Sequence, residues 1–254
     1  MIADLIPTQI FAFMLILARI SGVVMLMPGF GELNIPAWIK VAFSVAVSVV
    51  LLPLVSPVLP PFPSTPAGVV VLTVNEALIG LLIGALTRLL LNALHVGGTV
   101  IAFQTGLAAA QGFDANQHSQ SAMFATFMTL LGVNLIFASN LHHLLVQAMA
   151  DSYMIFSPGK VPPLGQISEL SIAVVRHSFE IGVKLAAPFL VFGIVFNVGL
   201  GLVARLMPTL QVFFIAVPAQ ILLGFALFAF VLTSMMFWFL DYFRSGLAPL
   251  LTSQ

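Results

Sequence analysis

Long apolar runs punctuated by proline, glycine and one polar island organise this chain. Stretches free of Asp, Glu, Lys and Arg extend from Val41 to Asn75, Leu89 to Phe113, Ala115 to Ala150, Leu185 to Ala204 and Leu206 to Leu240. A bilayer-spanning helix needs about 20 apolar residues, so several of these hold one helix plus a turn or a re-entrant piece. A first helix is expected from near Ile6 to the Pro28-Gly29-Phe30-Gly31 turn, and Pro36 can occupy the first turn of the next. Pro53 and the prolines from Pro57 to Pro66 make an uncharged, stiff connector. A third helix is expected from about Ala67 to Leu94, with room to continue past Gly97-Gly98 to Leu107. Ala122 to Tyr153 reads as one long helix. After the second connector, Ser157 to Pro163, a helix is expected from about Ser168 to Leu206, with Pro188 marking a place where it can bend. The last runs from Val212 to Phe243 with Pro218 in its first turns.

The pattern predicts an all-α chain of about six hydrophobic segments, arranged as membrane-type helical hairpins in a single domain over residues 1–254. Composition fixes the class. Hydrophobic residues make up 61% and charged residues 6%, with a mean hydropathy of +1.17, whereas a soluble domain is charged at roughly a quarter of its positions. Eight basic and eight acidic residues leave no basic stripe to displace counterions from nucleic acid. With no cysteine, disulfides and thiolate metal sites are excluded. The N-terminal segment carries Asp4 and Arg19 and lacks a small-x-small cleavage site before Pro28, so it reads as a retained hydrophobic segment.

The island is Gly106-Leu107-Ala108-Ala109-Ala110-Gln111-Gly112-Phe113-Asp114-Ala115-Asn116-Gln117-His118-Ser119-Gln120. Polar, turn-forming backbone at membrane depth is tolerated where it lines water or is buried in protein. From its residues the island reads either as a surface turn between hairpins or as a functional loop. Glu76, Gly80, Gly84 and Arg88 share one i, i+4 ridge, on which the two glycines permit close helix approach. Glu76 and Arg88 stand about 18 Å apart on a straight helix, too far to pair. Their partners lie elsewhere, either on another subunit or within the chain. Glu169, Arg176, Glu180 and Lys184 form a helical stripe that reads as a solvated face rather than an ion path, and Glu180 and Lys184 have the favourable i, i+4 order.

Enzyme chemistry has little to stand on. Adjacent His142 and His143 diverge by about 100° on a helix and cannot share a metal as an i, i+4 pair does. The chain contains no H-E-x-x-H, P-loop or G-x-S-x-G pattern. No catalytic residue, metal site or cofactor is therefore expected. A secondary transporter for a small solute is the alternative; it calls for inverted repeats and mid-helix ionisable groups, of which the chain offers few.

Five segments in order carry a family resemblance: Leu17-Ala18-Arg19-Ile20-Ser21-Gly22 with Pro28-Gly29-Phe30-Gly31; Asn75 to Gly84; Gln104-Thr105-Gly106-Leu107 leading to Phe113-Asp114; His142-His143-Leu144-Leu145; and Ala204-Arg205-Leu206-Met207-Pro208. Nearly the whole chain resembles the FliR family of bacterial flagellar export-gate proteins, related to the SpaR, YscT and SctT proteins of virulence type III secretion. Two departures are Ala115 where the family usually has proline, and Pro208-Thr209-Leu210-Gln211 where it usually has Pro-Gln-x-Asn.

The resemblance implies a non-enzymatic subunit of the bacterial inner membrane at the flagellar basal body. It would form a protein-conducting pore with FliP-like and FliQ-like subunits, have FlhB-like and FlhA-like proteins, rod proteins and lipid as neighbours, and pass unfolded exported proteins. It further implies a pore plug at Gly106, Leu107, Ala108, Ala109, Ala110, Gln111, Gly112, Phe113, Asp114, Asn116, Gln117 and His118. Intersubunit packing is expected at Glu76, Gly80, Gly84, Arg88 and Arg205.

Overall fold

The computed structural model describes residues 2–32, 35–107, 120–160, 164–207 and 212–251. Among them are seven α-helices: α1 (Ile2–Leu26), α2 (Ala37–Val55), α3 (Pro66–Gln104), α4 (Gln120–Ala138), α5 (His142–Ile155), α6 (Leu164–Leu206) and α7 (Val212–Leu247). Short 3-10 turns at Ser56–Val58 and Ala248–Leu250 follow α2 and α7. Five helices are long and apolar enough to cross a membrane, and the α4–α5 pair makes a sixth segment if counted as one span. The all-α, membrane-type architecture expected from the sequence is the one observed.

One boundary differs instructively. The single helix expected from Ala122 to Tyr153 is broken after Ala138, and α4 and α5 meet at a bend of 78°. Asn140 sits at the break with φ 60°, a left-handed conformation that asparagine tolerates better than most residues. Conversely, α3 runs unbroken through Gly97-Gly98, and α6 passes through Pro188. Membrane helices tolerate such residues because neighbouring helices and local adjustments satisfy the backbone groups they free.

The chain clusters into two compact units. The first comprises residues 1–90, 139–175 and 244–254, the second 91–138 and 176–243. Neither is contiguous in sequence, because α3, α6 and α7 each contribute to both.

In the first unit α1 buries Phe11, Leu15, Ile16, Ile20, Val23 and Val24, a stripe at helical spacing. Aromatic contacts tie it to its surroundings: Phe11 meets Phe62 edge-on at 5.2 Å, and in the turn after it Phe30 stacks on Phe43 of α2 at 4.2 Å. Helix α2 inverts the soluble rule. Its buried positions include Ser44 and Ser48, whose hydroxyls donate to the carbonyls of Lys40 and Ser44, while Val41, Val50 and Leu54 face outward. Outward aliphatics with inward, self-satisfied hydroxyls suit an apolar surrounding.

The second unit is held by aromatic side chains and glycine contacts. Phe124 packs edge-on against Phe228 at 4.8 Å, and Phe189 lies 6.2 Å from Phe228. Gly97 on α3 and Gly182 on α6 oppose each other so closely that a Cβ at Gly97 would lie 3.1 Å from the Gly182 carbonyl oxygen. The Tyr242 hydroxyl donates to Ser178 Oγ at 2.8 Å.

Candidate functional site

Helix α3 carries two polar seats, one in each unit. In the first unit Arg19 of α1 and Glu76 of α3 are fully buried, with Arg19 Nε 2.6 Å from Glu76 Oε2. The pair is possible because the backbones nearly touch. A Cβ at Gly22 would fall 2.8 Å from both the Ala77 carbonyl oxygen and the Leu81 nitrogen, and one at Gly84 would fall 2.7 Å from the Val23 carbonyl oxygen. A Cβ at Gly80 would collide with the Arg19 carbonyl itself. Small residues at this crossing bring the helices close enough for the two charged side chains to meet.

The charged groups of this seat are all engaged, while the buried Tyr153 hydroxyl beside them has no hydrogen-bond partner among the described residues. Arg19 Nη1 donates to the Ser152 carbonyl at 3.0 Å and Nη2 to the Phe156 carbonyl at 3.1 Å, while the guanidinium carbon lies 4.1 Å from the centre of the Tyr153 ring. The second carboxylate oxygen of Glu76 accepts from the Gly159 backbone N–H at 3.3 Å. Gly159 itself has φ 79°, and a side chain there would press on Pro60. Asn75 Nδ2 completes the turn by donating to the Lys160 carbonyl at 3.0 Å. The pair thus fastens the end of α5 and the following turn to the α1–α3 crossing. Arginine suits this role because its planar fork presents donors in several directions at once.

In the second unit the end of α3 is seated without charge. Gln220 Nε2 of α7 donates to the Gln104 carbonyl at 2.9 Å. Gly106 follows with φ 79°, its Cα side lying flat against the Gln220 amide. One turn along α7, a Cβ at Gly224 would come within 2.7 Å of the Thr105 side chain, and Gly193 of α6 abuts the side chain of Gln104. Thr105 is buried and donates its hydroxyl to the Ile101 carbonyl.

The structure places the sequence-derived site residues unevenly. Gly106 and Leu107 form the end of this seat, whereas Ala108, Ala109, Ala110, Gln111, Gly112, Phe113, Asp114, Asn116, Gln117 and His118 lie outside the described residues. Of the two readings left open for the ridge, another subunit or the same chain, Glu76, Gly80 and Gly84 have neighbours on α1 of the same chain, where Arg19 faces Glu76 as its countercharge. Arg88 is half-buried and Arg205 exposed, and neither has an ion-pair partner among the described residues.

On α6, Glu169, Arg176, Glu180 and Lys184 are all exposed, with Lys184 Nζ 2.5 Å from Glu180 Oε1. The imidazoles of His142 and His143 lie 4.2 Å apart, and among the described residues no three His, Asp or Glu side chains converge as metal ligands. Sequence reading missed Arg19 as the partner of Glu76, and Gln220, Gly193 and Gly224 as the seat of Gln104 to Gly106. The one local hint was Gln220, the sole polar side chain between Val212 and Leu232.

The family model for bacterial export proteins, family 1, matches residues 10–246. The flagellar biosynthetic protein FliR of Caulobacter vibrioides is 39% identical over 236 residues, covering 93% of this chain and 94% of that protein. The FliR of Bacillus subtilis is 27% identical over 227 residues, 88% of this chain and 85% of its own length. That of Aquifex aeolicus is 28% identical over 223 residues, 87% and 86% respectively. Four of the five segments that carry the resemblance sit at helix ends or crossings described above: Leu17 to Gly22 meets Asn75 to Gly84 at the charged seat, Gln104 to Leu107 ends α3, and His142 opens α5. With the family model spanning nearly the whole chain and a relative of this identity at almost full length, the chain belongs to the bacterial export proteins, family 1, as a member of the FliR family of flagellar export proteins.

Proposed function

We propose that this chain is a non-enzymatic subunit of the flagellar export gate, building a protein-conducting pore in the bacterial inner membrane with FliP-like and FliQ-like subunits. FlhB-like, FlhA-like and rod proteins are its further neighbours, and unfolded flagellar proteins are what passes. The observation that carries the reading, beyond family membership, is helix length set against exposed apolar surface. Helices α3, α6 and α7 hold 39, 43 and 36 residues, so each is more than 50 Å long. The hydrocarbon core of a bilayer is only about 30 Å thick.

Along the last turns of α6, Ile194, Val195, Val198, Leu202 and Leu206 are all exposed, and Gly199 and Gly201 have open space where a side chain would stand. Apolar helix surface in excess of what lipid covers, with glycines among it, suits sister helices packed alongside. Arg88 and Arg205 are the charged residues we assign to those contacts. The segment from Gly106 to His118 is assigned as the pore plug on the strength of the family resemblance, and its two glycines permit tight bends within a narrow channel. Energy for transport comes from other subunits, since the sequence holds no phosphate-binding motif.

Expression with and without FliP-like and FliQ-like partners tests the assembly. A monodisperse particle is expected only with them, and a thermally stable monomer would overturn the proposal. Deleting Ala108 to Phe113 tests the plug: ion conductance and secretion should change in an assembled complex, and both remaining unchanged would remove that assignment.

A further inference from the structure

We propose that Gln220 is the positioning residue for the chain segment that leaves α3, acting through the Gln104 carbonyl and the backbone of Gly106. The last carbonyls of a helix have no partner within it. Here one of them, on Gln104, takes its hydrogen bond from a side chain on another helix rather than from the following turn. The same amide lies along Gly106: a Cβ there would be 3.0 Å from Gln220 Cδ and 3.1 Å from its Oε1. Glycine is favoured at φ 79° for its backbone conformation, and its lack of a Cβ leaves the amide its place without a shift.

Three consecutive stem residues each have their own support, Gln104 against Gly193, Thr105 against Gly224 and Gly106 against Gln220. The Gly106 N–H closes the end of α3 on the Phe103 carbonyl at 3.2 Å. An amide in a helix otherwise apolar from Val212 to Leu232 is costly unless its polar atoms are used, and this one is used to aim the chain where the polar island begins.

The chemistry sets Gln220 apart from a mere space-filler. Methionine keeps the volume without the donor, and leucine likewise has no polar atom to give. Both exchanges remove the donor to the Gln104 carbonyl while leaving the Gly193 and Gly224 contacts in place.

Because the chain has no cysteine, a single Leu107→Cys reports on the stem by its rate of maleimide labelling in the complex assembled with FliP-like and FliQ-like subunits. Adding Q220M or Q220L should speed labelling roughly 2- to 10-fold, the population change one net hydrogen bond supplies, with the amount of assembled complex unchanged. Should Q220L not assemble, Q220M makes the same comparison. Equal labelling rates with and without the Gln220 exchange would overturn the inference.

Its consequence for transport rests on the plug reading, and a second measurement separates the two. Faster labelling with altered ion conductance supports both. Faster labelling with unchanged conductance upholds the positioning role of Gln220 and overturns the plug.

Discussion

The two seats on α3 solve the same steric problem with opposite chemistry. At Gly80 a Cβ would collide with the Arg19 backbone and at Gly106, just past the helix end, it would crowd the Gln220 side chain, yet one site is closed by a buried ion pair and the other by a single neutral amide. A buried charge demands a complete set of partners, because taking one away leaves the other unpaired in a low-dielectric interior. Arg19 and Glu76 accordingly engage Ser152, Phe156 and Gly159 besides each other, and the result is a lock on three chain segments. An amide loses far less when its bond opens. The end of α3 is thus held in direction but can be released at low cost, as the plug proposed for the following segment requires.

The sharpest way to break this comparison is at the charged seat. Replacing Arg19 with leucine strands the Glu76 carboxylate and should destabilise the protein by about 3–5 kcal/mol, seen as loss of folded material or a large fall in Tm of the assembled complex. The double exchange R19L/E76L should be less damaging than either single one, because no charge is left unpaired. A double mutant worse than both singles would show that the pair stabilises by attraction rather than by mutual neutralisation.

Glycine substitutions sharpen the steric half. Gly80→Val has to push the Arg19 carbonyl aside and is expected to cost at least about 1–3 kcal/mol, as overpacked cores do. Alanine at Gly80 should harm more than alanine at Gly97, where a Cβ stands 3.1 Å from its nearest neighbour. At Gly199, with nothing within 4 Å in this chain, alanine favours the helix itself by up to about 0.5–1 kcal/mol, readable as helix content of the chain in detergent. If the glycines there admit sister helices, the same G199A exchange lowers the yield of assembled complex, a reversal of sign readable by comparing the two preparations. Smallest of all is Glu180→Ala: both members of its pair with Lys184 are about half exposed, and Tm should stay within experimental error.

Helix ends were legible in the sequence where proline and glycine act locally. Pro66 opens α3 and the Ser157 to Pro163 connector separates α5 from α6, as expected. The 78° break after Ala138 was not legible, because it falls inside a charge-free stretch whose hydropathy reads straight through; its only local mark is Ser139-Asn140. Helical spacing likewise assembled Glu76, Gly80 and Gly84 onto one ridge, which is how the structure uses them, but gave no clue to what the ridge meets. Spacing reports neighbours within a turn or two, and Arg19 lies 57 residues away.

Composition and local backbone chemistry by themselves determined that this is an all-α, membrane-type chain with about six apolar segments, and the order of its motifs placed it in its family. Both are properties of each segment taken alone, so no folding is needed to read them. Which helix receives Glu76, and which side chain caps the end of α3, only the tertiary structure decided. Burying a carboxylate or an orphan carbonyl requires a donor brought from far along the chain, and that donor is chosen by how closely glycine lets two backbones approach, a condition that exists only once the helices have packed.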